Sequence, residues 1–231
     1  MTWTPRVAST LKAATVHHTA GSNSYAAADV PGILRGIYRY HAVTLGWGDI
    51  GYNALVDKYG RIWEGRAGGL AQPVVGAHAG GFNTYTFGVS MLGNYDVVPT
   101  TPAMINSVSS IIGWKLGLHN VDPYGSAVLT SGGTNKYAAG TAVRLPAIFA
   151  HRDTKSTACP GKYGVAKMGE IRARAFGYDM AESYVRALYQ DMMGRGADAT
   201  GLRNWTTLLS GEPVAARSRR ASRTARNTAG W

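Results

Sequence analysis

Ala14-Thr15-Val16-His17-His18 is a short run that stops at Thr19-Ala20-Gly21-Ser22-Asn23, a cluster of turn formers. It reads as a buried strand ending in a loop, with His17 at the strand end. Asp29 then offers a helix N-cap, and Val30, Ile33, Leu34, Ile37, Tyr38 and His41 fall on one stripe of a 3.6-residue period. That spacing predicts an amphipathic helix with His41 on its apolar face.

Residues 52–57 and 61–64 are extended runs around a Lys58-Tyr59-Gly60 turn, so they read as a hairpin. Residues 87–92 are a further strand closed by Gly93-Asn94. Residues 102–118 repeat the helical pattern through Ile105, Val108, Ile111, Ile112 and Leu116, with Pro102 suited to the first turn. Residues 147–150 make a last short buried strand, and residues 164–176 a last helix of the first domain. Strands alternating with helices give the α/β class: a central β-sheet flanked by helices, mixed because of the hairpin. Between them, residues 119–145 are rich in Gly, Ser, Thr and Asn. A loop that long inside a compact domain is uncommon and often functional, so it is either the rim of a binding groove or a plain insertion.

The chain therefore divides into a lead-in at 1–13, a main domain at 14–176, a small helical module at 177–210 and a tail at 211–231. The module has Tyr184, Leu188, Trp205 and Leu208 as apolar anchors around Gly194-Arg195-Gly196-Ala197-Asp198 and is too short for much of a core of its own. The tail, of Arg, Ser, Ala and Thr, reads as disordered.

A chain of 231 residues with 45% hydrophobic content is an ordinary folded composition. It has no apolar run of about 18 residues, so no membrane span is expected. The opening residues lack the apolar core of a secretory signal. The net charge of +11 implies an anionic partner. Residues 1–175 hold 16 basic and 8 acidic side chains, while residues 217–226 hold five arginines and no acid. Nucleic acid is not expected, since no recognition motif accompanies the charge. Cys159 is the only cysteine, which excludes an internal disulfide and leaves a metal ligand, a nucleophile or a small buried hydrophobe.

His17, His151 at the end of the last strand and Cys159 eight residues later could together bind zinc. Two imidazoles and a thiolate leave a fourth position open, as catalytic rather than structural sites do. Zinc can lower the pKa of a water to about 7 and polarise a carbonyl, which suits cleavage of an unactivated amide. Spacing alone is weak support, because His17 lies more than 130 residues from its partners.

Six ordered motifs add specificity. They are Val16-His17-His18-Thr19-Ala20-Gly21, Asp49-Ile50-Gly51-Tyr52-Asn53, Gly60-Arg61-Ile62-Trp63-Glu64-Gly65-Arg66, Gly76-Ala77-His78-Ala79-Gly80-Gly81-Phe82-Asn83, Gly88-Val89-Ser90-Met91-Leu92-Gly93-Asn94-Tyr95, and Ala150-His151-Arg152-Asp153 through Ala158-Cys159-Pro160-Gly161. Together they resemble the superfamily of peptidoglycan recognition proteins and type 2 N-acetylmuramoyl-L-alanine amidases, over roughly residues 14–176. The lone cysteine leaves no room for the disulfide usual in animal members, which points to a bacterial or phage member.

The resemblance implies a zinc at the floor of a groove, held by His17, His151 and Cys159, and cleavage between the lactyl group of N-acetylmuramic acid and L-alanine. A recognition module of the same fold that binds peptidoglycan without cutting it is the alternative. Tyr52 matches the tyrosine that active members place beside the zinc to orient water or stabilise an oxyanion. Thr157 falls where amidase-type phage lysozymes carry a lysine and many recognition proteins a threonine; it can donate a hydrogen bond but brings no charge. His18, Thr19, His41, His78 and Asn83 carry over as groove contacts, and Trp47 could stack on a sugar. Glu64 and Arg66 read better as braces of the hairpin end. The helical module is similar to one of unknown function in secreted bacterial proteins. The expected partners are peptidoglycan and, through the basic tail, anionic wall polymers. The expected location is extracellular or at the cell wall, with an export signal trimmed away or a phage lysin that has none.

Overall fold

Strand β1 (Ala13–His18) is buried at all six positions, so it needs cover on both faces and partners on both edges. The structure, a computed structural model, describes residues 3–209. β1 pairs in parallel with β4 (Thr86–Met91) on one side and β7 (Ile148–Ala150) on the other. β4 pairs in parallel with β2 (Ala54–Val56), and β2 pairs antiparallel with the edge strand β3 (Ile62–Glu64). The order is β3-β2-β4-β1-β7, the mixed sheet that the hairpin predicts.

Alternation along the strands sends Ala14, Val16, Phe87, Val89, Ile148 and Ala150 to one face. There they meet Met104, Ile105, Val108, Ile112 and Leu116 of helix α2 (Pro102–Gly117). Thr101 starts this helix by accepting from the Met104 N–H at 3.2 Å, and Pro102 occupies its first turn. On the other face Leu55 packs with Val30 of helix α1 (Val30–Tyr38). Ala13 and Phe149 pack with Leu129, Val143 and Leu145.

Those last three residues correct the reading of 119–145 as a loop. β5 (Ser126–Thr130) and β6 (Ala142–Pro146) form an antiparallel ribbon there. Only alternate positions are apolar and buried, so the Gly, Ser and Thr content masks a strand period of two. Three further expectations change. Asp29 does not cap α1 with its side chain; its Oδ2 accepts from the Ala26 N–H at 2.7 Å and closes a 3₁₀ turn one step earlier. Tyr38 is exposed, because α1 widens into a π-helical turn at Arg39–Thr44 that ends the 3.6-residue stripe. The last helix is not confined to 164–176: short α3 (His151–Thr154) and α4 (Lys162–Ala166) are followed by α5, continuous over Met168–Met193.

The chain divides into two compact units between Phe176 and Gly177. The second holds the rest of α5 and α6 (Ala199–Leu209). Within it Asp198 accepts from the Thr200 and Gly201 N–H groups at 3.1 and 2.8 Å, so the Gly194 to Asp198 segment is a helix-starting turn. Tyr184, Trp205 and Leu208 are exposed rather than buried as anchors. The basic segment at 217–226 lies outside the described residues.

Lys115 of α2 is fully buried. Its Nζ donates to the carbonyls of Ala71 and Gln72, both at 2.9 Å, which ties the loop after β3 to the helix. Burial lowers its pKa from 10.5 to about 8. A depressed folded-state pKa means that the unfolded chain binds more protons between those values, so stability rises with pH across that window. Relative to Lys115→Met, wild type should therefore gain at most about 3 kcal/mol between pH 8 and 10.5. Paired denaturant titrations check this; a constant or falling difference would refute it.

Candidate functional site

β1 and β7 run parallel as neighbours, so both deliver the residues at their carboxyl ends to the same side of the sheet, where open α/β sheets bind ligands. The register pairs Val16 with Ala150, which sets His17 beside His151, the first residue of α3. Their rings lie 4.4 Å apart. Asp153 fixes the turn into α3 by accepting from the Ala150 N–H at 2.9 Å. The loop that follows is closed by the Arg152 N–H donating to the Cys159 carbonyl at 3.0 Å, which returns Cys159 to the strand ends.

One ligand atom from each of His17, His151 and Cys159 lies within 4.8 Å of the others. Cys159 Sγ is 3.7 Å from His17 Nδ1, and His151 Nε2 is buried with no hydrogen-bond partner among the described residues. Burial holds His17 well below the usual imidazole range and His151 at about 4, so both rings are neutral and have a lone pair to offer at pH 7. Burial pushes the Cys159 thiol up to about 12. A thiol in that setting is a poor free nucleophile, whereas a coordinating thiol is deprotonated outright. The donor set and its convergence fit a zinc ion with one position left open.

His17 and His151 line a cleft of about 360 Å³ together with His41, Trp47, Tyr52, His78, Asn83 and Lys155; Cys159, packed against His17, is not part of its lining. The Tyr52 ring is 5.3 Å from that of His17. Burial raises its pKa to about 12, so it keeps its proton and can donate. His41 accepts from the Gly51 N–H at 3.1 Å and lies 4.8 Å from the ring of Trp47, which is 39% exposed and so presents a free aromatic face. Asn83 Oδ1 accepts from the His78 and Ala79 N–H groups at 2.9 and 2.7 Å.

The remaining residues lie elsewhere. His18 is turned to the other face of β1, where its Nδ1 accepts from the Tyr95 N–H at 3.1 Å. Thr19 Oγ1 accepts from the Gly93 N–H at 2.9 Å. Neither is on the cleft wall. Thr157 is also off the wall, its Oγ1 accepting from the Cys159 N–H at 3.3 Å. Arg66 donates to the Ile50 and Trp47 carbonyls and Glu64 accepts from the Gly69 N–H, so both brace backbone. Sequence reasoning missed Lys155. Its place in the loop between His151 and Cys159 was the only hint, and it does not single Lys155 out, since Arg152 and Thr157 of the same loop are off the wall.

The family profile described as N-acetylmuramoyl-L-alanine amidase matches residues 8–162, and one described as a domain of unknown function matches residues 173–219. Peptidoglycan-recognition protein SC1a of Drosophila melanogaster is 33% identical over 161 residues, 70% of this chain and 74% of that protein. Among solved structures, Drosophila PGRP-LB superposes with a TM-score of 0.56 at 21% identity, covering 72% of this chain and 84% of that one. The N-acetylmuramoyl-L-alanine amidase LysC from Clostridium intestinale gives 0.52 at 24% identity, covering 71% and 84%.

Proposed function

The chain belongs to the N-acetylmuramoyl-L-alanine amidase family, and from that premise we propose that it is a zinc-dependent hydrolase cutting the lactyl to L-alanine amide bond of bacterial peptidoglycan. The observation that carries this reading is the convergence of His17, His151 and Cys159, of which the two histidines line a cleft together with Tyr52. Zinc held by these three residues would supply Lewis acidity and a water of lowered pKa.

The chain's own groups divide the remaining work. Tyr52, protonated at neutral pH, donates to the scissile carbonyl oxygen as negative charge develops on it. Thr157 holds the Cys159 loop through the 3.3 Å bond from the Cys159 N–H, and its hydroxyl proton remains free to donate. Trp47, with His41 tilted against it, offers a ring for a sugar to pack on, and Asn83 shapes the loop that carries His78. Lys155 brings to the rim the positive charge that Thr157 lacks, which suits the carboxylates of a stem peptide. Lys155→Met is expected to raise KM for stem-bearing fragments about tenfold, in line with a charged hydrogen bond of about 1.5 kcal/mol, with kcat less affected. Steady-state kinetics on soluble muropeptides checks this; an unchanged KM would remove Lys155 from the substrate site.

In this reading residues 14–176 are the catalytic domain, while the 177–210 module and the basic tail hold the enzyme to anionic wall polymers outside the cell. Among the described residues no helix is long and apolar enough to cross a membrane. The test of function is product identity. Purified peptidoglycan treated with the full chain should yield stems with a free L-alanine amino group and no new reducing sugar ends. Wall binding without release, with zinc supplied, would make the protein a recognition module of the same fold.

A further inference from the structure

His78, expected as a groove contact, also touches the first candidate ligand. His17 Nε2 and His78 Nδ1 lie 3.0 Å apart, both rings buried, in an edge-on arrangement with centroids 5.0 Å apart and planes at 78°. That contact holds one proton. If His17 donates it, the lone pair of His17 sits on Nδ1, 3.7 Å from Cys159 Sγ. If His78 donates it, the His17 proton moves to Nδ1, where the cation must bind. The two tautomers are thus a ligating and a non-ligating form of the same ring.

The surroundings hold His78 in place to accept. Its backbone N–H donates to Asn83 Oδ1 at 2.9 Å, which fixes the main chain that carries the ring. Gly76 and Gly88 press on its ring so closely that a Cβ at either would collide with it. Gly88 stands inside β4, paired with Thr15 of β1. A glycine weakens a strand interior and marks a place where another group approaches closely, and here the group is the His78 imidazole. With Nδ1 facing His17, a His78 ring that accepts there carries its own proton on Nε2, which is buried with no hydrogen-bond partner among the described residues.

Resting on the zinc reading above, we infer that His78 is a positioning residue: it accepts the Nε2 proton of His17 and so keeps the His17 Nδ1 lone pair facing Cys159, ready for the metal. Outer partners of this kind, more often a carboxylate or a carbonyl, orient ligating histidines and set their tautomer.

The test measures zinc affinity by chelator competition for the full chain as wild type, His78→Leu and His78→Asn, with melting of each metal-free form. The Asn carboxamide can present an acceptor near the Nδ1 position; Leu cannot. His78→Leu is expected to bind zinc about 10-fold to 100-fold more weakly, and His78→Asn to recover a large part of that loss at a similar melting temperature. In metal-free wild type, histidine ¹⁵N spectra should show His17 protonated at Nε2, a readout that holds even if the leucine variant does not fold. His17 protonated at Nδ1, or a folded His78→Leu within about twofold of wild type, would overturn the inference while leaving the zinc site standing. Wild type that takes up no zinc would overturn both.

Discussion

Cys159→Ser in the full chain should abolish stem release and weaken zinc binding by at least about 100-fold, more than the usual cost of an outer-partner change. A serine hydroxyl stays protonated where a thiol gives up its proton to the metal, so the site falls from three ligands to two neutral imidazoles. The substitution changes one buried atom. Unfolding of the metal-free protein should therefore shift by only about 1 kcal/mol or less, and calorimetry with and without zinc separates the two effects. Zinc uptake by wild type at pH 7 should release a proton that the variant does not release. A serine variant with full zinc affinity would remove Cys159 from the site.

Tyr52→Phe should lower kcat by about 10²-fold to 10³-fold, the usual cost of one oxyanion donor, with zinc affinity and wall binding within about twofold of wild type. The tyrosine is close to His17 but belongs to no ligand set, so its loss removes a donor and leaves the metal site whole. Burial already raises its pKa to about 12, which predicts that activity does not titrate with the phenol between pH 6 and 9. Kinetics on soluble muropeptides over that range, beside zinc titrations, would check both parts. A phenylalanine variant of normal kcat would leave oxyanion stabilisation to the metal and Thr157.

The sheet was legible where short runs stop at turn formers, as β1 does at Thr19 to Asn23 and β4 at Gly93-Asn94; β1, β4 and β7 are buried at every position even though β1 and β4 carry Thr, His and Ser. The ribbon at 126–146 was not, since Leu129, Val143 and Leu145 are single apolar residues among Ser, Thr and Gly, and only their alternation betrays a strand. Helix α5 was cut at Phe176 in the reading because the sequence changes texture there; the helix runs on through Gly177, a residue that a helix carries at a modest cost. The three candidate ligands that the structure brings together, His17, His151 and Cys159, were legible as chemistry, since two histidines and one cysteine are a small choice, and their order in the motifs gave the rest. His18 was drawn toward the groove by its place next to His17, but neighbours on a strand face opposite ways. Lys155 and the contact between His17 and His78 needed coordinates. The first depends on how a loop closes, and the second on residues 61 positions apart whose meeting no local pattern records.

The most direct test of the zinc amidase is a titration of the metal-free chain with zinc while release of L-alanine-terminated stems from purified peptidoglycan is followed. Activity that is absent at the start, rises in proportion to zinc and saturates at one ion per chain is the predicted result. Release that proceeds equally with a chelator present, or none at any zinc concentration while the chain still binds the wall, would contradict it.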